Sequence, residues 1–341
     1  MLILYIFLFI ITFSSVRHIQ GWNEDYLSFN TTNQVKGFFI ILVFISHVVQ
    51  YVTRYGADLT GYSYNLFWFL HNSIDQWIVS MFLFYSGYGI MESIKIKGMY
   101  YIANIPKRRV LNTLINFDIA VILFIIVALL TEKPLSIEKC IFSFIAWDDV
   151  GNDNWYIFVI ILSYIITYLS FLNSKNWTKS ANICLLLSLL LIIVLGYIKP
   201  EFWYNTILCF PAGIFYSMYR YNAESYVRRN YWIVLTIMFL VLTLIYNIPL
   251  FARGLVYNAF SVTICAIVLL ITMKIKINSQ ILLWCGKNLF PIYIYQRIPM
   301  IILSNFSEGA FVINYPVTYA IVCMVITGLI AYSYKYWIVK L

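Results

Sequence analysis

Charge is what this chain has least of. Asp, Glu, Lys and Arg make up 11% of its 341 residues, against about 25% in ordinary soluble domains. So few charges cannot cover a water-facing surface of that size, which excludes a secreted, nucleic-acid-binding or coiled-coil protein. Histidine is nearly absent as well, with only His18, His47 and His71. That scarcity removes His-based metal sites and leaves few candidates for a general base. The six cysteines form no CxxC pair, and most lie within apolar runs, so they read as small core hydrophobes. No Gly/Ser linker, low-complexity tract or repeat interrupts the chain.

What remains is apolar. Hydrophobic residues reach 62% and aromatics 19%, the latter suited to lipid-facing and interfacial positions. Runs long enough to cross a bilayer fall at about 2–16, 37–53, 74–91, 110–131, 155–172, 182–198, 203–219, 230–247, 255–273, 281–304 and 316–334. The expectation is an all-α, polytopic helix bundle in a lipid bilayer with about 10–11 transmembrane helices, a single domain over 1–341 with no attached soluble domain. The first run lacks a positive segment before it and is followed by Arg17, which argues for a retained helix over a cleaved leader.

The cations sort by loop. Sixteen of the 23 Lys and Arg fall in one alternating set of connections, from Arg17 to Lys340 and including Lys175. Six fall in the other: Arg54, Lys133, Lys139, Lys199, Arg253 and Arg297. The positive-inside rule places the first set in the cytoplasm, with the N-terminus outside and the C-terminus inside. The net charge of +9 is thus loop topology rather than a nucleic-acid footprint. Acids run the other way: Glu132, Glu138, Asp148, Asp149, Asp153, Glu201 and Glu308 lie in outside loops. The longest of these, about 132–154, leads into Trp155 and Tyr156. Carboxylates beside Trp and Tyr can receive sugar hydroxyls and stack on a sugar face; an interfacial aromatic belt with a solvated loop has the same composition.

Ionisable residues within spans are costly and are functional candidates by default. His47 lies deep in the second run and Asp118 in the fourth; Asp75 and His71 lie nearer the outer end of the third, where His71 reads as interfacial. Lys36 and His47 are eleven positions apart, about three turns plus 20°, so they share a helix face roughly 16 Å apart. A long donor with a phosphate end and a reactive far end matches that layout; so does a pairing of a topology anchor with a helix–helix hydrogen bonder. Asp118, at similar depth, is placed to orient His47 or to bond a neighbouring helix. Lys107, Arg108 and Arg109 form either an anchor or a phosphate clamp.

Several segments resemble one known family, the acyltransferase-3 integral-membrane acyltransferases. Lys36-Gly37 followed by an apolar run to His47 resembles its R/K-x10-H signature. Phe82-Leu83-Phe84-Tyr85-Ser86-Gly87-Tyr88-Gly89-Ile90 is similar to its FFFLSGYLI-like segment. Lys107-Arg108-Arg109 falls where the family carries basic residues, Trp155-Tyr156 resembles its WF/WY pair, and 286–296 is similar to its GxNSLxIYLxH run. These matches span about 33–300 in the family's order, leaving 1–20 as an extra N-terminal helix. Gln296 stands where relatives often have His and can only hydrogen-bond; Asn112 stands where many place a further Arg.

The resemblance implies transfer of an acetyl or short acyl group from cytosolic acyl-CoA, usually acetyl-CoA, to a hydroxyl of a surface or lipid-linked carbohydrate such as a capsule or exopolysaccharide, in a bacterial cytoplasmic membrane. His47 and Lys36 would be its motif positions, with His47 as base or relay and Asp118 as its possible orienting partner. Lys36, Lys107, Arg108 and Arg109 would contact donor phosphates. Asp75, Asp148, Asp149, Asp153, Trp155, Tyr156 and Gln296 are the acceptor candidates, and no metal is expected. Two other classes fit many spans: a polysaccharide flippase, which inverted repeats would favour, and a glycan polymerase, which would carry a long basic external loop. Neither feature is present in the sequence.

Overall fold

Ser28 starts the central helix: its hydroxyl accepts the N–H of Thr31, and its extended backbone (φ −60°, ψ 156°) turns the chain into the first helical residue. The helix then runs unbroken for 26 residues, about 39 Å at 1.5 Å per residue, longer than the roughly 30 Å hydrocarbon layer. In this computed structural model, which describes residues 1–59, 62–174, 176–248, 254–306 and 308–340, nearly every face of that helix is covered. Lys175 and Arg253 lie outside the described residues.

In chain order the elements are α1 (Leu2–Phe13), β1 (Val16–His18), α2 (Phe29–Arg54), α3 (Tyr62–Asn72), α4 (Ser80–Lys97), α5 (Met99–Ile105), α6 (Asn112–Leu130), α7 (Ile137–Ser143), α8 (Trp155–Phe171), α9 (Trp177–Ile198), α10 (Cys209–Tyr246), α11 (Leu255–Thr272), β2 (Ile275–Ile277), α12 (Gln280–Lys287), α13 (Leu289–Tyr295), α14 (Arg297–Phe306), α15 (Ala310–Asn314) and α16 (Pro316–Ser333). The fold is an all-α polytopic bundle. Among the described residues six helices are long and apolar enough to cross a membrane, counting Met99–Leu130 as one, and two further apolar helices, α1 and α8, are shorter. Large apolar side chains such as Leu129, Leu244 and Trp232 stand exposed on the outside of the bundle, as a lipid-facing belt requires and a water-facing surface does not tolerate.

Two crossings depend on glycine. A Cβ on Gly37 of α2 would strike the carbonyl oxygen of Leu282, and one on Gly286 of α12 would strike that of Asn33. Gly87 of α4 and Gly213 of α10 meet the Phe210 and Phe84 carbonyls in the same reciprocal way. Helix backbones can approach this closely only where no side chain intervenes, the usual means of tight packing in lipid.

Two elements differ from the sequence pattern. The runs 203–219 and 230–247 do not: within α10 the backbone leaves helical geometry at Tyr219 (φ −107°, ψ 15°) and Asn230 (φ −129°, ψ 30°), where those runs end and begin. The polar stretch between the two kinks carries an Arg220–Glu224 pair one turn apart. The run 281–304 breaks into α12, α13 and α14. Pro291 and Pro299 each exclude a bond to the carbonyl four residues back, and the breaks fall at Asn288 and Gln296, just past those carbonyls. Finally, β1 and β2 pair antiparallel, Val16 with Ile277, tying the end of α1 to the end of α11 on one side of the bundle.

Candidate active site

The loop between α7 and α8 is folded around Asp149. Its Oδ1 accepts the N–H groups of Gly151 (2.6 Å), Asn152 (2.7 Å) and Asp153 (3.1 Å), the turn-forming chemistry of a short carboxylate. The Asp148 carbonyl accepts from Ser143 (3.0 Å) and from Asn154, and Lys199 donates to the Trp147 carbonyl (2.6 Å). These bonds hold Asp153 at φ 52°, a left-handed conformation that a non-glycine residue keeps only when its surroundings enforce it.

That conformation delivers the Asp153 carboxylate to α2. His47 Nε2 lies 3.0 Å from Asp153 Oδ2. Arg297, the first residue of α14, places Nη2 3.0 Å from the same oxygen and 2.7 Å from Gln50 Oε1. Tyr293 OH donates to the Asp153 carbonyl at 3.2 Å. Burial pushes the Asp153 carboxyl upward, but the Arg297 charge and the His47 hydrogen bond outweigh it and hold the group down at about 2. An ionised Asp153 accepts Nε2–H, which makes Nδ1 the basic nitrogen of a neutral ring, a tautomer assigned from the network. Nδ1 is buried with no partner among the described residues.

The group borders a cavity of about 380 Å³ whose wall includes Ser46, His47, Gln50, His71, Asp75, Gln76, Asp153, Trp155, Phe202, Tyr293 and Arg297. Trp155 and Phe202 set their rings 6.3 Å apart at 75°. Asp75 caps the short turn Gln76–Val79 by accepting the Gln76 N–H (2.8 Å), and Asn205 donates to Gln76 Oε1 (2.9 Å). His71 bonds Tyr5 OH through Nδ1 (3.0 Å) and stacks on Phe67. It is therefore part of this wall.

Of the residues singled out in the sequence, His47, Asp153, Asp75 and Trp155 share this cavity. Tyr156 lies behind it, its ring 5.1 Å from that of Tyr293. Gln296 is fully buried and donates to the Tyr293 carbonyl (3.0 Å), so it faces the support of the site and not its opening. Asp148 and Asp149 shape the loop and do not line the cavity. The carboxylate that meets His47 is Asp153, not Asp118. Asp118 does not line the cavity, and its Oδ1 is buried without a partner among the described residues. Equal depth in the membrane does not give equal azimuth. Phe117 takes the inward face of α6, which turns Asp118 about 100° away.

Lys36 is half-buried and makes no ion pair among the described residues. Lys107, Arg108 and Arg109 lie on the wide turn Pro106–Leu111, before α6, with Arg109 Nε donating to Tyr101 OH (3.1 Å). None of the four borders the His47 cavity. The sequence reading missed Arg297, Gln50 and Tyr293. An arginine inside the apolar run 281–304, one turn after a tyrosine, was the available signal.

A family model described as an acyltransferase domain matches residues 29–335. The chain belongs to the acyltransferase-3 family. No curated protein and no solved structure matches it. In this acyltransferase-3 chain the matched segment takes in α2 through α16 and leaves α1 and β1 outside. His47, Asp153 and Arg297 all fall within it. The protein is thus an acyltransferase of a multi-pass membrane type. Among the described residues no group of three or more His, Cys, Asp or Glu could hold a metal ion.

Proposed function

We propose that this protein is an O-acyltransferase that moves an acetyl or short acyl group from cytosolic acyl-CoA, acetyl-CoA above all, to a hydroxyl of a cell-surface or lipid-linked polysaccharide. The observation that carries the reading is the His47–Asp153 contact of 3.0 Å beside a cavity that also holds Asp75, Trp155 and Phe202. A sugar hydroxyl is a poor nucleophile, and a positioned base is what it needs. Asp153 fixes the ring and stabilises the imidazolium that forms, as the carboxylate of a triad does. Arg297 positions Asp153.

In the proposed step His47 takes the proton of the acceptor hydroxyl as its oxygen attacks the thioester carbonyl. A C–O bond forms, the C–S bond breaks, and the proton leaves with the CoA sulfur. Asp75, Trp155 and the neighbouring Phe202 would receive the sugar; Tyr156 and Gln296 would support Tyr293; Asp148 and Asp149 would present Asp153. Lys36, Lys107, Arg108 and Arg109 would contact the donor's phosphates from the cytoplasmic side, with the N-terminus and the His47 cavity outside and the C-terminus inside a bacterial cytoplasmic membrane. Residues 1–341 would act as one domain. Membranes bearing the protein, given labelled acetyl-CoA and the glycan of the producing cell, should acquire label in that glycan. Glycan export without acyl incorporation would overturn the reading in favour of a transporter.

A further inference from the structure

A second polar cavity, of about 360 Å³, lies where the start of α6, the α12–α13 junction and the chain after α16 meet. Asn112, Thr113 and Asn116 line one side of it, and Lys287, Lys335 and Lys340 supply its charge; among the described residues no carboxylate lines it. Two segments of the chain supply the three cations. Lys287 ends α12, Lys335 follows α16 over the rings of Tyr332 (4.2 Å) and Tyr336 (4.8 Å), and Lys340 follows five positions later.

The segment after α16 is held in place by a buried side chain. Asn116 donates from Nδ2 to the Val339 carbonyl (2.8 Å) and accepts the Val339 N–H on Oδ1 (2.9 Å), satisfying both polar groups of one backbone residue. Asn116 is 2% exposed. The clamp fixes the chain direction next to Lys340 and closes the cavity on that side. Three lysines line one cavity with no carboxylate among its described lining residues, and the positive charge they bring is offset by an anion. Phe290, Tyr334 and Ile338 add an apolar wall, so the ligand carries an apolar or aromatic part beside its charge.

We infer that this cavity binds the phosphate ester of an amphipathic ligand. Lysine ammoniums are point-charge phosphate binders, and the volume falls within the range of small-molecule sites. Two sources offer that chemistry. One is the nucleotide end of the acyl donor, reached from the neighbouring Pro106–Leu111 turn, and this arm rests on the function proposed above. The other is an acidic phospholipid headgroup, and the site itself does not depend on that function.

The test uses the purified full chain and direct binding, so turnover is not needed. The soluble probe is adenosine 3′,5′-bisphosphate; the lipid probe is thermal stabilisation in phosphatidylglycerol against phosphatidylcholine nanodiscs. Substituting Lys287→Gln, Lys335→Gln and Lys340→Gln together should weaken the responding probe by about tenfold or more, whereas the triple Lys→Arg variant should retain it. All three lysines are exposed, so folding should survive. Loss confined to the bisphosphate names the donor as source, and loss confined to phosphatidylglycerol names the lipid. If the Gln variant binds both probes as the parent does, or the parent binds neither, the inference falls. His47-dependent acyl transfer that persists in that case leaves the proposed function standing.

Discussion

His47 and Asp153 belong to different parts of the chain, one deep in α2 and the other in a loop before α8, yet Nε2 and Oδ2 lie 3.0 Å apart. The contact joins the strongest motif position in the sequence to a residue that the sequence placed only among several loop acids. Arg297 shares the same carboxylate oxygen, so a cation, an anion and an imidazole meet at the cavity wall.

Removing the imidazole tests its role. His47→Ala should insert normally and lose about 10² to 10⁴ of acyl transfer, the usual range for a general base. His47→Gln should fail equally, because an amide keeps a hydrogen bond but takes no proton. His18→Ala, by contrast, should keep most activity. Near-normal turnover in His47→Gln would exclude proton transfer at this position.

Asp153 predicts a pH dependence. Its folded value, about 2, lies below that of an ordinary aspartate. The ion pair therefore contributes stability fully above about 4, and that stability is lost as pH falls from about 4 to about 2. Thermal unfolding in detergent should show this acid limb in the parent. Asp153→Asn should flatten it and reduce transfer as well, since Arg297 is left buried without its anion. A parent-like acid limb in Asp153→Asn would assign the effect to other carboxylates.

The α2–α12 crossing predicts an asymmetry between glycines. Gly286→Ala would drive a Cβ into the Asn33 carbonyl oxygen, whereas a Cβ on Gly89 meets nothing within 4 Å. Backbone cannot rotate away as a side chain can, so Gly286→Ala should cost about 1–3 kcal/mol by overpacking. Gly89→Ala should be neutral or slightly stabilising in a helix interior. Melting temperatures of the two variants decide the point, and equal values would mean that the crossing relaxes freely.

Topology is checked by single cysteines at two exposed positions, Tyr100→Cys and Ile145→Cys. An impermeant maleimide applied to intact cells should label position 145, and position 100 only after lysis. Labelling of both from outside would overturn the proposed sidedness, and with it the placement of the donor cations in the cytoplasm.

Composition and periodicity were enough to read the membrane, the all-α class and the positions of most helices. These properties are local: they depend on runs of about 20 apolar residues and on the charges that end them. The Lys36–His47 spacing was legible for the same reason, since a single helix sets it. What the sequence alone did not decide was contact between distant segments. Asp118 was the expected partner and Asp153 only an acceptor candidate, and only the fold of the 148–154 loop around Asp149 brought Asp153 to the histidine. Arg297 was an outside cation by sequence, and only the breaks at Pro291 and Pro299 put it at the head of α14, beside Asp153. The pairing of β1 with β2, and the clamp of Asn116 on Val339, likewise exist only in three dimensions. Each joins residues more than two hundred positions apart, and no periodicity links them.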